Sequence, residues 1–117
     1  MAMSDFINFK EVIPEEGETW KGKRILSFDI DWAIDEVIHD VLDVVEGADV
    51  RATFFVTHYT KCIDRIRSNP KLELGIHPNF NPLLEKAQDA NLPLDTLRNL
   101  IEFVPEAKVI RSHSMTI

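Results

Sequence analysis

An α/β fold with a parallel sheet is the class this sequence predicts, and three observations predict it. Short apolar, β-branched runs alternate with segments whose apolar residues recur at helical spacing. The links between runs are long enough for crossover helices, which makes neighbouring strands parallel and the crossovers right-handed. Polar side chains suited to chemistry gather just after the runs, where parallel α/β folds place their sites. An open doubly wound sheet and part of a (β/α) barrel both satisfy these observations. A closed barrel needs about 200 residues or more, so 117 residues supply only part of one.

The elements follow in order. Residues 1–23 mix short apolar pieces with the acidic stretch Pro14-Glu15-Glu16-Gly17-Glu18, and read as an N-terminal extension to a domain over 24–117. Arg24 to Ile30 is the first strand. A helix follows over Ile34 to Glu46, because Ile34, Val37, Ile38, Val41, Leu42 and Val45 share one face. Gly47 is its expected terminator. Val50 to Thr57 is β-branched and aromatic, hence a second strand. Thr60 to Ser68 is a short helix stopped by Asn69-Pro70. Leu72 to Ile76 is a third strand, and Pro78 and Pro82 break the chain into a loop. Leu94 to Val104 is a helix, and Lys108 to Ile110 begins a fourth strand. No internal repeat or low-complexity segment is present.

Bulk properties exclude some functions. The net charge of -7 argues against sequence-independent binding to nucleic acid or to an anionic membrane, both of which need basic patches. No stretch approaches the ~18 apolar residues of a membrane span. Cys62 is the only cysteine, so no intrachain disulfide can form. The N-terminus has no basic region followed by an apolar run, so the expected location is the cytoplasm.

The chemistry concentrates at Asp29-Ile30-Asp31. In an extended strand, residues two apart point to the same face. Paired carboxylates repel unless a cation or a shared proton intervenes. A plain strand-to-helix turn, with one Asp as cap, is the bland alternative. The other strands also end in polar groups: Thr57 and His58, then His77, then Arg111, Ser112 and His113. Carboxylates and imidazoles suit zinc, and catalytic zinc commonly keeps three protein ligands. Asp31, His77 and His113 could form that set, with Asp29 as general base. Arg111 could hold Asp29 ionised or contact substrate. Trp32 could wall a sugar pocket, though core packing explains it as well. His58 reads as a loop residue, His39 as solvent-facing and Cys62 as a small buried side chain.

These residues resemble a family. Ser27-Phe28-Asp29-Ile30-Asp31, Arg51-Ala52-Thr53-Phe54-Phe55-Val56, Gly75-Ile76-His77 and Arg111 are similar to the polysaccharide deacetylase (NodB-homology, carbohydrate esterase family 4) superfamily. The nearest likeness is to its divergent branch in bacterial surface-polysaccharide gene clusters. The resemblance runs from about residue 24 onward. It implies an incomplete, distorted (β/α) barrel of the NodB type, and metal-dependent removal of N- or O-linked acetyl groups from a carbohydrate. It makes Asp29 the base, Asp31 a ligand of a divalent metal, zinc by preference, and Arg111 the arginine of the third motif, without the usual proline after it. The family's His-x-x-x-His motif reads His77-Pro78-Asn79-Phe80-Asn81 here. Asn81 therefore replaces the second His and is assigned to substrate binding with Trp32. His113 is the substitute ligand inferred from this sequence. The motif carrying the general-acid His would lie beyond these residues.

Two other functions compete. An apolar strand ending in Asp-x-Asp also resembles the haloacid-dehalogenase-type phosphatases, with Asp29 as nucleophile and magnesium bound. Trp32 then replaces the usual Gly, and His77 has no role. The third reading is a non-catalytic sugar-binding or interaction module. An incomplete barrel exposes a sheet edge, so self-association is expected.

Overall fold

The computed structural model describes residues 5–78 and 92–112. In chain order the elements are β1 (Phe6–Ile7), β2 (Arg24–Ile25), β3 (Ser27–Asp29), α1 (Asp35–Ala48), β4 (Ala52–Val56), α2 (Cys62–Arg67), β5 (Leu72–Ile76) and α3 (Leu92–Phe103). Strands β3, β4 and β5 form a parallel sheet in sequence order. Phe28 lies opposite Phe54, and Phe54 opposite Leu74. The expected fourth strand contributes one parallel bridge, Ile76 to Ile110.

The expected first strand is split. Arg24 and Ile25 pair with Phe6 and Ile7 in a separate two-stranded parallel sheet, and only Ser27–Asp29 joins the main one. The chain changes partner at Leu26, whose carbonyl already accepts the Thr53 N–H at 2.9 Å. The N-terminal segment is fastened to the sheet beyond this pairing. Buried Asn8 donates its amide to the Lys71 carbonyl at 3.0 Å, and the Lys10 N–H donates to the Glu73 carboxyl at 3.1 Å. Phe9 meets Phe55 edge-on, with centroids 5.8 Å apart.

The two faces of the main sheet differ. Ala52, Phe54 and Val56 of β4 and Leu72, Leu74 and Ile76 of β5 join one cluster with Ile38, Leu42 and Val45 of α1, Cys62, Ile63 and Ile66 of α2, and Leu100 of α3. Each fully buried side chain such as Leu42 or Phe54 contributes roughly 1.5–3 kcal/mol, so this helix-covered face supplies most of the stability. The opposite face carries Ser27, Asp29, Thr53, Phe55, Glu73 and Gly75; the N-terminal segment covers part of it, and the Asp29 end stays partly exposed. Arg65 ties α2 to α1 through Glu46 (3.0 Å) and Asp43 (2.6 Å). Its hydrogen bonds to the carboxylates of Glu46, then Asp43, raise its already high pKa further. Such partly exposed pairs contribute about 1 kcal/mol or less each.

Helix α1 departs from expectation in two ways. Gly47 lies inside it, and the helix ends at Asp49, left-handed at φ 53°. A short polar side chain tolerates that conformation. Its apolar stripe is also only half covered. Ile38, Leu42 and Val45 are buried, while Val37 and Val44 are 49% and 72% exposed and Ile34, just before the helix, is 64% exposed. Among the described residues, no helix is long and apolar enough to cross a membrane.

Candidate metal centre

Asp29, Asp31 and His77 meet at the carboxyl ends of β3 and β5, each offering a ligand atom within 4.8 Å of the others. They arrive differently. Asp29 is the last residue of β3, on the same face as Ser27. His77 directly follows β5, tied down by its N–H to the Val56 carbonyl at 2.8 Å, and is 3% exposed.

Asp31 does not share the strand face with Asp29 as the two-residue spacing suggested, because the strand has already ended. Ile30 turns inward and is buried, and the Ala33 N–H closes a four-residue turn onto the Ile30 carbonyl at 2.9 Å. Both central residues are left-handed, Asp31 at φ 47° and Trp32 at φ 59°. That is the pattern of a type I′ turn, which ordinarily takes Asn and Gly. Here it costs on the order of 1–2 kcal/mol per residue. Strain of this kind persists where its surroundings over-determine it, and it clusters at functional sites.

The ring of His77 has a defined tautomer. Nδ1 lies 2.6 Å from the Arg111 carbonyl oxygen, which can only accept, so Nδ1 carries a hydrogen. Nε2 is then the ring nitrogen that faces Asp31 Oδ1 at 3.3 Å and Asp29 Oδ2 at 3.7 Å. Lone pair facing carboxylate is repulsive unless a proton or a metal ion lies between them. Metal–ligand bonds of 2.0–2.2 Å in tetrahedral array place two ligand atoms roughly 3.4 Å apart, which the Nε2 to Asp31 spacing meets. The backbone carbonyl behind Nδ1 is the usual support for a ligating imidazole. The donor set fits a divalent ion.

Arg111 faces the same centre from the segment bridged to β5. Its Nε and Nη2 donate to Asp29 Oδ1 at 3.0 and 2.6 Å, and both Nη atoms lie 3.2 Å from Ser27 Oγ. The guanidinium rests 4.1 Å above the centre of the Phe55 ring. Asp29 thus has Oδ1 held by Arg111 and Oδ2 turned to His77. Two carboxylates against one guanidinium leave a single negative charge, which also suits a cation.

Trp32 is 51% exposed, with its ring nearly parallel to His58 at 6.4 Å, so it is a surface residue and not a core one. Its N–H donates to Thr57 Oγ1 at 3.0 Å. His113 and Asn81, the expected substitute ligand and substrate contact, lie outside the described residues. Cys62 is buried, as expected. His39 is exposed but accepts a hydrogen bond from Arg65 at 2.8 Å.

Sequence reasoning missed Ser27, Phe55 and Gly75. Ser27 was detectable from its position two residues before Asp29. Gly75 is required because a Cβ there would lie 2.8 Å from Phe55 ring carbons and 2.9 Å from Val109 Cγ1. A glycine inside a strand is the signal of such a close approach.

A family model described as WbmS-like polysaccharide deacetylase matches residues 26–117. A solved structure from Bordetella bronchiseptica, of a candidate polysaccharide deacetylase (WbmS) involved in O-antigen biosynthesis, is 42% identical to this chain with a TM-score of 0.90. The match covers 98% of this chain and 47% of that one, so this chain spans about half the neighbour's length. No curated protein matches the chain. Neither finding favours the phosphatase reading of the Asp-x-Asp segment or the non-catalytic one.

Proposed function

The chain belongs to the WbmS-like polysaccharide deacetylase family, and on that premise we propose that it takes part in metal-dependent removal of an acetyl group from a carbohydrate. The observation that carries this reading is the convergence of His77 Nε2, Asp31 and Asp29 at one point at the strand ends. Asp31 and His77 would hold the ion, zinc by preference, with His113 as the third protein ligand. When bound, the ion supplies Lewis-acid polarisation of the acyl carbonyl and a more acidic water.

The chain's own residues supply the rest. Asp29 takes a proton from the attacking water, as general bases do when held within hydrogen-bond reach. Arg111 fixes Oδ1 of Asp29, which leaves Oδ2 directed at the reacting centre. The water oxygen bonds to the acyl carbon, and the bond from that carbon to the sugar nitrogen or oxygen breaks. A proton passes to the departing atom, so acetate and a free amine or hydroxyl separate. Trp32, exposed beside the centre, offers an aromatic wall to a sugar ring, and Asn81 is assigned to the same substrate. The neighbour's description supports a surface polysaccharide or its precursor as the carbohydrate.

The test measures zinc content and acetate release together. Asp31→Ala and His77→Ala are each expected to lower zinc affinity at least about tenfold, given the typical sensitivity of metal sites. Asp29→Asn is expected to keep zinc while acetate release falls about 10²–10⁴-fold. Zinc content unchanged in both ligand variants sinks the assignment.

A further inference from the structure

Thr57 follows β4, outside both the ligand set and the proton-transfer pair. It is buried, and its hydroxyl oxygen accepts the Trp32 N–H at 3.0 Å. The remaining hydrogen-bonding capacity of that hydroxyl faces His58 Nδ1 at 2.8 Å. The His58 ring in turn lies nearly parallel to the Trp32 indole, at an interplanar angle of 12°. The anchored N–H belongs to the peptide that joins Asp31 to Trp32, the centre of the left-handed turn.

An Asn-Gly turn would adopt this backbone without help. Asp-Trp adopts it less readily, since a short polar Asp tolerates positive φ but Trp32 stands where the turn ordinarily has Gly. The turn's own Ala33 N–H to Ile30 carbonyl bond closes it, and the Thr57 hydroxyl holds its central peptide from outside. Fixing that peptide fixes the direction in which Asp31 leaves the backbone. We propose that Thr57 is a positioning residue of the metal centre: its hydrogen bond to the Trp32 N–H holds Asp31 against His77. The inference rests on Asp31 and His77 being ligands.

Zinc chloride is titrated calorimetrically into the wild-type protein, Thr57→Val, Thr57→Ser and Asp31→Ala, with thermal unfolding followed alongside. Thr57→Val keeps the shape and removes the acceptor. It is expected to unfold cooperatively and to bind zinc about 10–100-fold more weakly, the usual loss for a supporting group. Thr57→Ser restores wild-type affinity because it restores the acceptor. Should Thr57→Val not fold, Thr57→Ala carries the same test, since it only removes atoms. Wild-type zinc affinity in Thr57→Val overturns the proposal, as does a loss that Ser fails to restore. If Asp31→Ala weakens zinc and Thr57→Val does not, only this inference falls. If the wild type takes no zinc, the ligand assignment falls with it.

Discussion

Gly75 has no side chain, yet it sets the geometry of the site on the sheet face opposite the helices. The Phe55 ring lies against its Cα, the Arg111 guanidinium lies on that ring at 4.1 Å, and the same guanidinium grips Asp29 at 2.6 Å. Gly75→Ala pushes a Cβ to within 2.8 Å of the ring. Over-packing of this kind costs about 1–3 kcal/mol, so the thermal midpoint should fall, as a circular dichroism melt would show. An unchanged midpoint would mean that the ring moves freely and is no platform. At this scale much of the site was legible. Asp29, Asp31, His77 and Arg111 stand out because charged groups directly after apolar strands have no packing reason to be there. Gly75 and Phe55 do not stand out, because their role is a contact between residues twenty apart in sequence. The left-handed turn at Asp31 and Trp32 was not legible at all, since nothing in Asp-Trp announces positive φ.

The strands and helices were readable wherever one physical pattern dominated. Strand β4, fully buried on both faces, is a continuous β-branched and aromatic run, as the sequence suggested. The break between β2 and β3 was not readable, because a change of sheet depends on which partner lies alongside. Nor was the docking of the N-terminal segment, which rests on Glu73. That side chain is 6% exposed, and its carboxyl accepts the Thr53 hydroxyl at 2.9 Å and the Lys10 N–H at 3.1 Å. Glu73→Ala leaves both donors without an acceptor, at a cost of about 1–3 kcal/mol for the buried group. Hydrogen exchange should quicken at Lys10 and its neighbours more than in β4. Uniform protection across both segments would show that the N-terminal segment is held by its apolar contacts alone.

Across the whole molecule, one side remains uncovered. Among the described residues β3 has no outer partner, and Ile34, Val37 and Val44 expose apolar surface beside it. An unpaired strand edge next to an apolar patch favours association, so this chain alone is expected to form oligomers in sedimentation velocity. Replacing Val37 and Val44 with Lys should shift it towards monomer, and an unaltered distribution would place the contact elsewhere. By itself the sequence determined the alternation of strands and helices and the strand ends at which polar groups collect, because these follow from periodicity and local composition, while the family was legible only as a resemblance of short motifs. Only the tertiary structure decided that Asp31 comes in by a strained turn, that His77 presents Nε2, and that Arg111 reaches Asp29 over Phe55. Those depend on distances between segments remote in sequence, which packing sets and periodicity does not encode.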